Sequence, residues 1–263
     1  MRIISWNING IKARFDAVRR LIEEYAPDVV CLQKFRCQTE HEQFNVPGYK
    51  LTVSPKVSAG VATYFKEDIT AITSTEYAGF SFPGHLLVTE IPDHNLAIAN
   101  AYAPLANGNL RGADEERRLF DMTLYRIAEI TPASLVICGD LNVVNTELDT
   151  LDGNHIKPLP CYRDWEHRGF QRILREGEMI DSFRILHPTE RKFTFFWHND
   201  PGLRAANRGD RIDYALISEW MKPNLLISDI LTDVTDSPST PLLLEIDLSK
   251  PIAFNPLKRY LIY

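Results

Sequence analysis

Several stretches of this chain end an apolar run on groups that can ligate, orient or transfer a proton. They are Asn7, Gln33 with Lys34, Tyr102, Asp140 with Asn142, and Asp213 in Arg211-Ile212-Asp213. In mixed α/β proteins ligands gather at the carboxyl ends of strands, so these tips are candidates for one site. Acids and amides held together there suit a divalent cation or a phosphate. Asp140 and Asn142 are two apart, which puts both side chains on one face of an extended tip. The stretch Gly139-Asp140-Leu141-Asn142 also reads as an ordinary turn, with Gly supplying the bend and Asp and Asn bonding the backbone. The number of polar tips, more than any one of them, argues for a site. Lys34 is the odd member, because an ammonium donates three hydrogen bonds and accepts none.

The elements that must carry these tips follow from periodicity. Residues 2–6 read as a strand and residues 14–25 as a helix with Phe15, Val18, Leu21 and Ile22 on one face. Pro27 ends that helix and residues 28–33 form the next strand. The pattern recurs later: strand 96–101, a polar loop with Asn107, Gly108 and Asn109, helix 114–130, and strand 134–138. Residues 60–65 and 86–91 read as further strands, 165–176 as a helix, and 192–197, 211–218 and 241–248 as three late strands. The two β-α-β halves are an organisational echo and share little sequence. No linker interrupts the elements, so residues 1–248 are expected to form a single domain, with 249–263 a C-terminal extension. Two facing sheets with helices outside would bury this many strands.

Bulk properties narrow the classes. With 263 residues, 44% of them hydrophobic, the chain can bury a large core. A net charge of -6 argues against a globally basic nucleic-acid glove and leaves a local basic patch open. The four cysteines, Cys31, Cys37, Cys138 and Cys161, form no CxxC pair and no zinc spacing. Cys31 and Cys138 lie in apolar strands, as free thiols do in a reducing cytoplasm. No apolar run reaches the length of a membrane span, and the N-terminus reads as a first strand and not as a signal peptide.

The segments SWNINGIKAR, DVVCLQ, NAYAP, VICGDLNV, GFQRIL, GEMIDSFRILHP, FTFFW and GDRIDYALIS, in that order, resemble exonuclease III and the abasic-site endonucleases of the endonuclease/exonuclease/phosphatase superfamily. The resemblance runs from Met1 to about Leu248. It implies a DNase I-like α/β fold: a four-layer sandwich of two facing mixed β-sheets flanked by helices. It also implies cleavage of DNA beside abasic sites with Mg²⁺ or Mn²⁺. Carried over by position, Asn7 lies beside the metal and Tyr102 touches the scissile phosphate. Asp140 orients or deprotonates the attacking water, Asn142 holds phosphate and Asp213 supports the polar network. Phe195 and Trp197, in the aromatic stretch 193–197, face the nucleotide.

Three positions depart from that pattern. The family strand ends LQE, with Glu the principal metal ligand, and this chain has Lys34. The family's last loop reads SDHxP, and here Pro238 replaces the Asp and Ser239 the His. An ammonium repels a divalent ion, and a lost proton-transfer group typically removes about 10²–10⁴-fold in rate. Lys34 could act as a built-in cation for Asp140 or Asp213, or swing its charge to solvent on its flexible stem.

The reading that follows is a disarmed member, needing no metal cofactor, that binds nucleic acid (DNA ahead of RNA) or a protein as a monomer. The alternative is an active DNA-repair nuclease with Asp236 or Asp210 as substitute ligands. A weaker third reading is a phosphatase or phosphodiesterase of the wider superfamily. Basic residues interleave with aromatics in the second half. Helix arginines 163, 168, 172 and 175 suit a solvated face, while Arg204, Arg208 and Arg211 remain candidates for nucleic-acid contact beside Phe195 and Trp197.

Overall fold

The computed structural model describes residues 1–37, 41–54, 60–106, 111–151, 153–250 and 252. The predicted polar loop at 107–109 and most of the 249–263 extension lie outside the described residues. The chain opens with β1 (Arg2–Asn7), α1 (Phe15–Tyr25), β2 (Val29–Gln33), β3 (Tyr49–Val53) and β4 (Val61–Lys66). Short strands β5 (Ile72–Ser74), β6 (Glu76–Tyr77) and β7 (Phe80–Ser81) lead to β8 (Leu86–Ile91) and β9 (Leu96–Tyr102). Then come α2 (Ala113–Ile130), β10 (Ser134–Asp140), α3 (Asp164–Arg175), β11 (Met179–Asp181), α4 (Ser182–Leu186) and α5 (Pro201–Ala205). The last strands are β12 (Asp213–Ser218), β13 (Leu225–Ile230) and β14 (Leu242–Ile246).

These strands make two six-stranded mixed sheets, ordered β13-β14-β1-β2-β4-β3 and β11-β12-β10-β9-β8-β5. Each sheet holds one parallel pair near its middle, β1 with β2 and β9 with β10. A parallel pair needs a crossover, and α1 and α2 supply it. The two β-α-β units read from the sequence therefore form the centres of the two sheets.

Three apolar clusters define the layers. Ile3, Val29 and Cys31 of the first sheet pack against Ile98, Val136, Cys138 and Ile217 of the second. Behind the first sheet, Val18, Leu21 and Ile22 of α1 close over Ile4, Val30 and Leu32. Behind the second, Phe120, Leu124 and Ile127 of α2 and Phe170 and Ile173 of α3 cover Leu135 and Ile137. The order is helix, sheet, sheet, helices: the expected four-layer sandwich. Each fully buried side chain of this size contributes roughly 1.5–3 kcal/mol.

Local signals set the helix ends. Ala26, in left-handed conformation at φ 44°, ends α1 by donating its N–H to the Ile22 carbonyl, just ahead of Pro27. Gly112 enters α2 at φ 84°, and Asp114, Glu115 and Glu116 fill the positive end of its dipole.

The stretch 192–197 departs from expectation, because it is no strand. Phe195 makes only isolated bridges, to Asp210 and Ser239. His198 and Asn199 follow at φ 57° and 54° and turn the chain away. Phe193, Thr194 and Phe196 are nonetheless buried, so the apolar content is satisfied without a ladder.

Candidate functional site

The four central strands release their tips at one end of the sandwich. Asn7 and Gln33 are register partners at the end of β1 and β2, as Asp140 and Tyr102 are at the end of β10 and β9. Asp213 sits opposite Asp140 across the antiparallel pair with β12. Gly139, just before Asp140, adopts φ 143°, and a Cβ built there would lie 1.8 Å from the Ala101 carbonyl oxygen. Only glycine lets β10 come this close to β9 at the tip.

Asp140 is the hub. It is 1% exposed, and both carboxylate oxygens are taken. Asn142 donates its backbone N–H to Oδ1 at 3.1 Å, and the Asn7 side-chain amide donates to Oδ2 at 2.7 Å. The Lys34 ammonium stands 3.9 Å from the same Oδ2 and 5.1 Å from the centroid of the Tyr102 ring. Of the two poses open at the sequence level, Lys34 adopts the inward one. The backbone helps, since Lys34 takes φ 51°, turning the chain immediately after β2.

The charges of the cluster are coupled. Burial pulls the Lys34 ammonium down, but Asp140, Tyr102 and Asp213 outweigh it and hold it above the ordinary lysine value. Burial raises the Asp140 carboxyl, opposed by Lys34 and by the hydrogen bond from Asn7. Asp213 lies well above the ordinary carboxylate range, through burial and through the neighbouring Asp140. Its Oδ2 is buried without a hydrogen-bond partner. Burial also raises Tyr102, with Lys34 working the other way.

The donor set does not fit a divalent cation. Among the described residues no group of three or more His, Cys, Asp or Glu side chains could hold a metal ion. Asn7 turns its amide nitrogen, a donor, toward Asp140, and an ammonium flanks that carboxylate. At an effective dielectric near 20, two unit charges about 4 Å apart interact by roughly 4 kcal/mol, and a divalent ion beside Lys34 meets at least that repulsion. Asp236 does not join the site. It is exposed and pairs with Arg20 at 3.0 Å. Asp210 does line the pocket beside Asp140.

The loop that departs from the family pattern is built into the framework. Ser237 Oγ donates to the Asn7 carbonyl at 2.7 Å, and the Trp6 indole N–H donates to the Ser239 carbonyl at 2.8 Å. Pro238 accepts from the Phe196 N–H at 2.9 Å. Ser239 is 2% exposed and pairs with Phe195. Arg204 clasps this loop. It donates to the carbonyls of Ser237 and Pro238 and to Thr240 Oγ1, and its guanidinium lies 4.5 Å from the Phe196 ring.

Arg211 corrects the expected arginine patch more sharply. It is 1% exposed and locked onto Asp149 at 2.7 Å and Asp181 at 2.6 Å, so it has no face to offer a ligand. Arg208 is exposed. Phe195 and Trp197 meet edge to face, with centroids 5.2 Å apart, and line a pocket of about 290 Å³ that also contains Lys34, Asp140 and Asn142. Trp197 is 55% exposed.

Sequence reasoning missed several participants. His85 stacks on Tyr102, ring centroids 5.4 Å apart, with its Nδ1 2.7 Å from the Tyr102 carbonyl. Thr194 Oγ1 accepts from the N–H groups of Ile212 and Asp213, which fixes the entry to β12. Arg117, wholly buried on α2, donates to the carbonyls of Leu141 and Asn142 and pairs with Asp121. An Arg and an Asp four residues apart on the same helix face as Phe120 and Leu124 are the signal that could have marked it.

Comparison with known proteins shows which family has this fold. Residues 4–229 match the endonuclease/exonuclease/phosphatase family. The chain is 28% identical to the exodeoxyribonuclease of Bacillus subtilis, over 94% of this chain and 100% of that one. It is also 28% identical to the DNA repair nuclease APEX1 of Danio rerio, over 93% of this chain and 81% of that one. The AP endonuclease from Leishmania major superposes with a TM-score of 0.82 at 20% identity, covering 94% of this chain and 87% of that one. With residues 4–229 matched, the chain belongs to the endonuclease/exonuclease/phosphatase family, on the side occupied by exonuclease III and the AP endonucleases.

Proposed function

We propose that this protein is a nucleic-acid-binding member of its family in which the Lys34 ammonium takes over the electrostatic role of a metal ion, without metal-dependent cleavage. The observation that carries the reading is the inward Lys34, 3.9 Å from Asp140 and held above the ordinary lysine value by the acids around it. A fixed cation beside Tyr102 can anchor a phosphate, but it offers no open coordination position to activate water. Pro238 and Ser239 support the same reading, since neither can relay a proton at the rate a histidine does. DNA is the favoured ligand, because the relatives are by name an exodeoxyribonuclease and a DNA repair nuclease.

A second reading keeps cleavage and recruits Asp210, which lines the same pocket as Asp140. One assay separates the two. Purified protein is incubated with a duplex carrying one abasic site and Mg²⁺ or Mn²⁺. The expected result is no incision above background. Robust metal-dependent incision that disappears in Asp140→Ala sinks the proposal. Installing Lys34→Glu, Pro238→Asp and Ser239→His together is expected to create incision on an otherwise intact framework.

A further inference from the structure

Beside the pocket that contains Lys34 lies a second one, of about 190 Å³, which is lined by Lys157 and Arg208. The two pockets share Tyr162, Trp197 and Asp210 as common wall and floor. Each is lined by at least one cation, and the two share the aromatic side chains of Tyr162 and Trp197. Lys34 marks the first pocket. In the second, the Lys157 ammonium lies 4.5 Å from the centroid of the Tyr162 ring, and Arg208 is exposed at the rim. Burial lifts the Tyr162 hydroxyl well above its ordinary value, and this hydroxyl hydrogen-bonds with Asp210. Asp210 lines both pockets, so the shared wall also carries a carboxylate.

A ligand matching this layout has two anionic groups flanking one flat, partly apolar group. That is the repeat of a nucleic-acid strand: phosphate, base-bearing sugar, phosphate. Bases stacked and paired in a duplex cannot reach such a concave wall, whereas unstacked bases bind aromatic side chains in many single-strand sites.

We infer that the two pockets form one track for a single unstacked nucleotide of a single strand, its base against Trp197 and Tyr162, one phosphate on Lys34 and the next on Lys157 and Arg208. This rests on Lys34 being an anion anchor. It adds an intact base and a second phosphate position to that reading.

The probes are a labelled dT8 strand and the same strand with one central abasic unit, titrated across a range of salt concentrations. Wild type is expected to bind dT8 several-fold more tightly than the abasic strand. Lys34→Gln is expected to lower the slope of log affinity against log salt by about 0.7, the share of one phosphate on a single strand. The double variant Lys157→Gln with Arg208→Gln should lower it by a similar amount. Trp197→Ala should weaken binding about 10-fold with the slope unchanged. Circular dichroism melting of each variant separates loss of contact from loss of fold.

If Lys34→Gln lowers the slope while the double variant leaves it untouched, the track is wrong and the Lys34 anchor stands. An abasic strand that binds as tightly as dT8 also removes the track alone. If wild type binds neither strand, the anchor and the track fall together.

Discussion

Two cations near the strand ends, Arg211 and Lys34, face carboxylates in opposite ways. Arg211 is saturated. It grips Asp149 and Asp181 at 2.6–2.7 Å, is 1% exposed, and is held far above the ordinary arginine value by those acids. Arg184 adds a further bond to Asp149, and the Arg211 N–H reaches the Asp149 carbonyl at 2.8 Å. Lys34 is poised. Its side chain is 22% exposed, and its charged contact among the described residues is a single carboxylate 3.9 Å away. A planar fork clamped bidentately is a cross-link, whereas a compact ammonium with spare donors facing a pocket is a binding group. The neighbouring acids are therefore not evidence of one shared role.

That contrast can be broken experimentally. Arg211→Met leaves buried Asp181 without its guanidinium and Asp149 with Arg184 alone, and removing one member of a buried pair costs about 3–5 kcal/mol. Chemical denaturation should show that loss, while strand binding by the protein that remains folded stays near wild type. Lys34→Met should do the reverse: a smaller stability loss than Arg211→Met, because its contact to Asp140 is longer and single, with affinity for dT8 down about 10-fold. Equal stability losses in the two variants would erase the distinction.

A subtler effect concerns Asp213. A carboxyl whose folded value is raised stabilises the fold fully below its unfolded value near 3.8, and that stability is lost as pH rises through the folded value. Asp213→Asn carries no charge to bury. The melting temperature of the variant relative to wild type should therefore climb as pH rises from about 4 toward 8. A difference that stays flat with pH would mean that Lys34 already neutralises Asp213.

How much of this was legible in the sequence depended on how local the cause was. The β1-α1-β2 and β9-α2-β10 units were visible because apolar periodicity and Pro27 are features of neighbouring residues. The tips followed, since each closes a readable strand. Edge strands β3, β5 and β13 were missed, being short or poorly buried along one side. The stretch 192–197 misled because burial of Phe193 and Phe196 produces the same apolar signal as a ladder. Arg211 misled because a basic run looks alike whether its members face solvent or acids contributed from positions 149 and 181. The pose of Lys34 was open for the same reason: its partner, Asp140, belongs to the other sheet. Charge pairing between distant segments leaves no periodic trace.

One layer below the site, Gln33 Nε2 donates to Ser5 Oγ at 3.0 Å and to Asn100 Oδ1 at 2.9 Å. Asn100 Nδ2 in turn donates to the Ala62 carbonyl at 2.9 Å. This amide rung links the two sheets beneath the residues of the mouth, beside the apolar layer that packs between them. The charge change at position 34 thus sits on top of a rung made of uncharged amides and a hydroxyl.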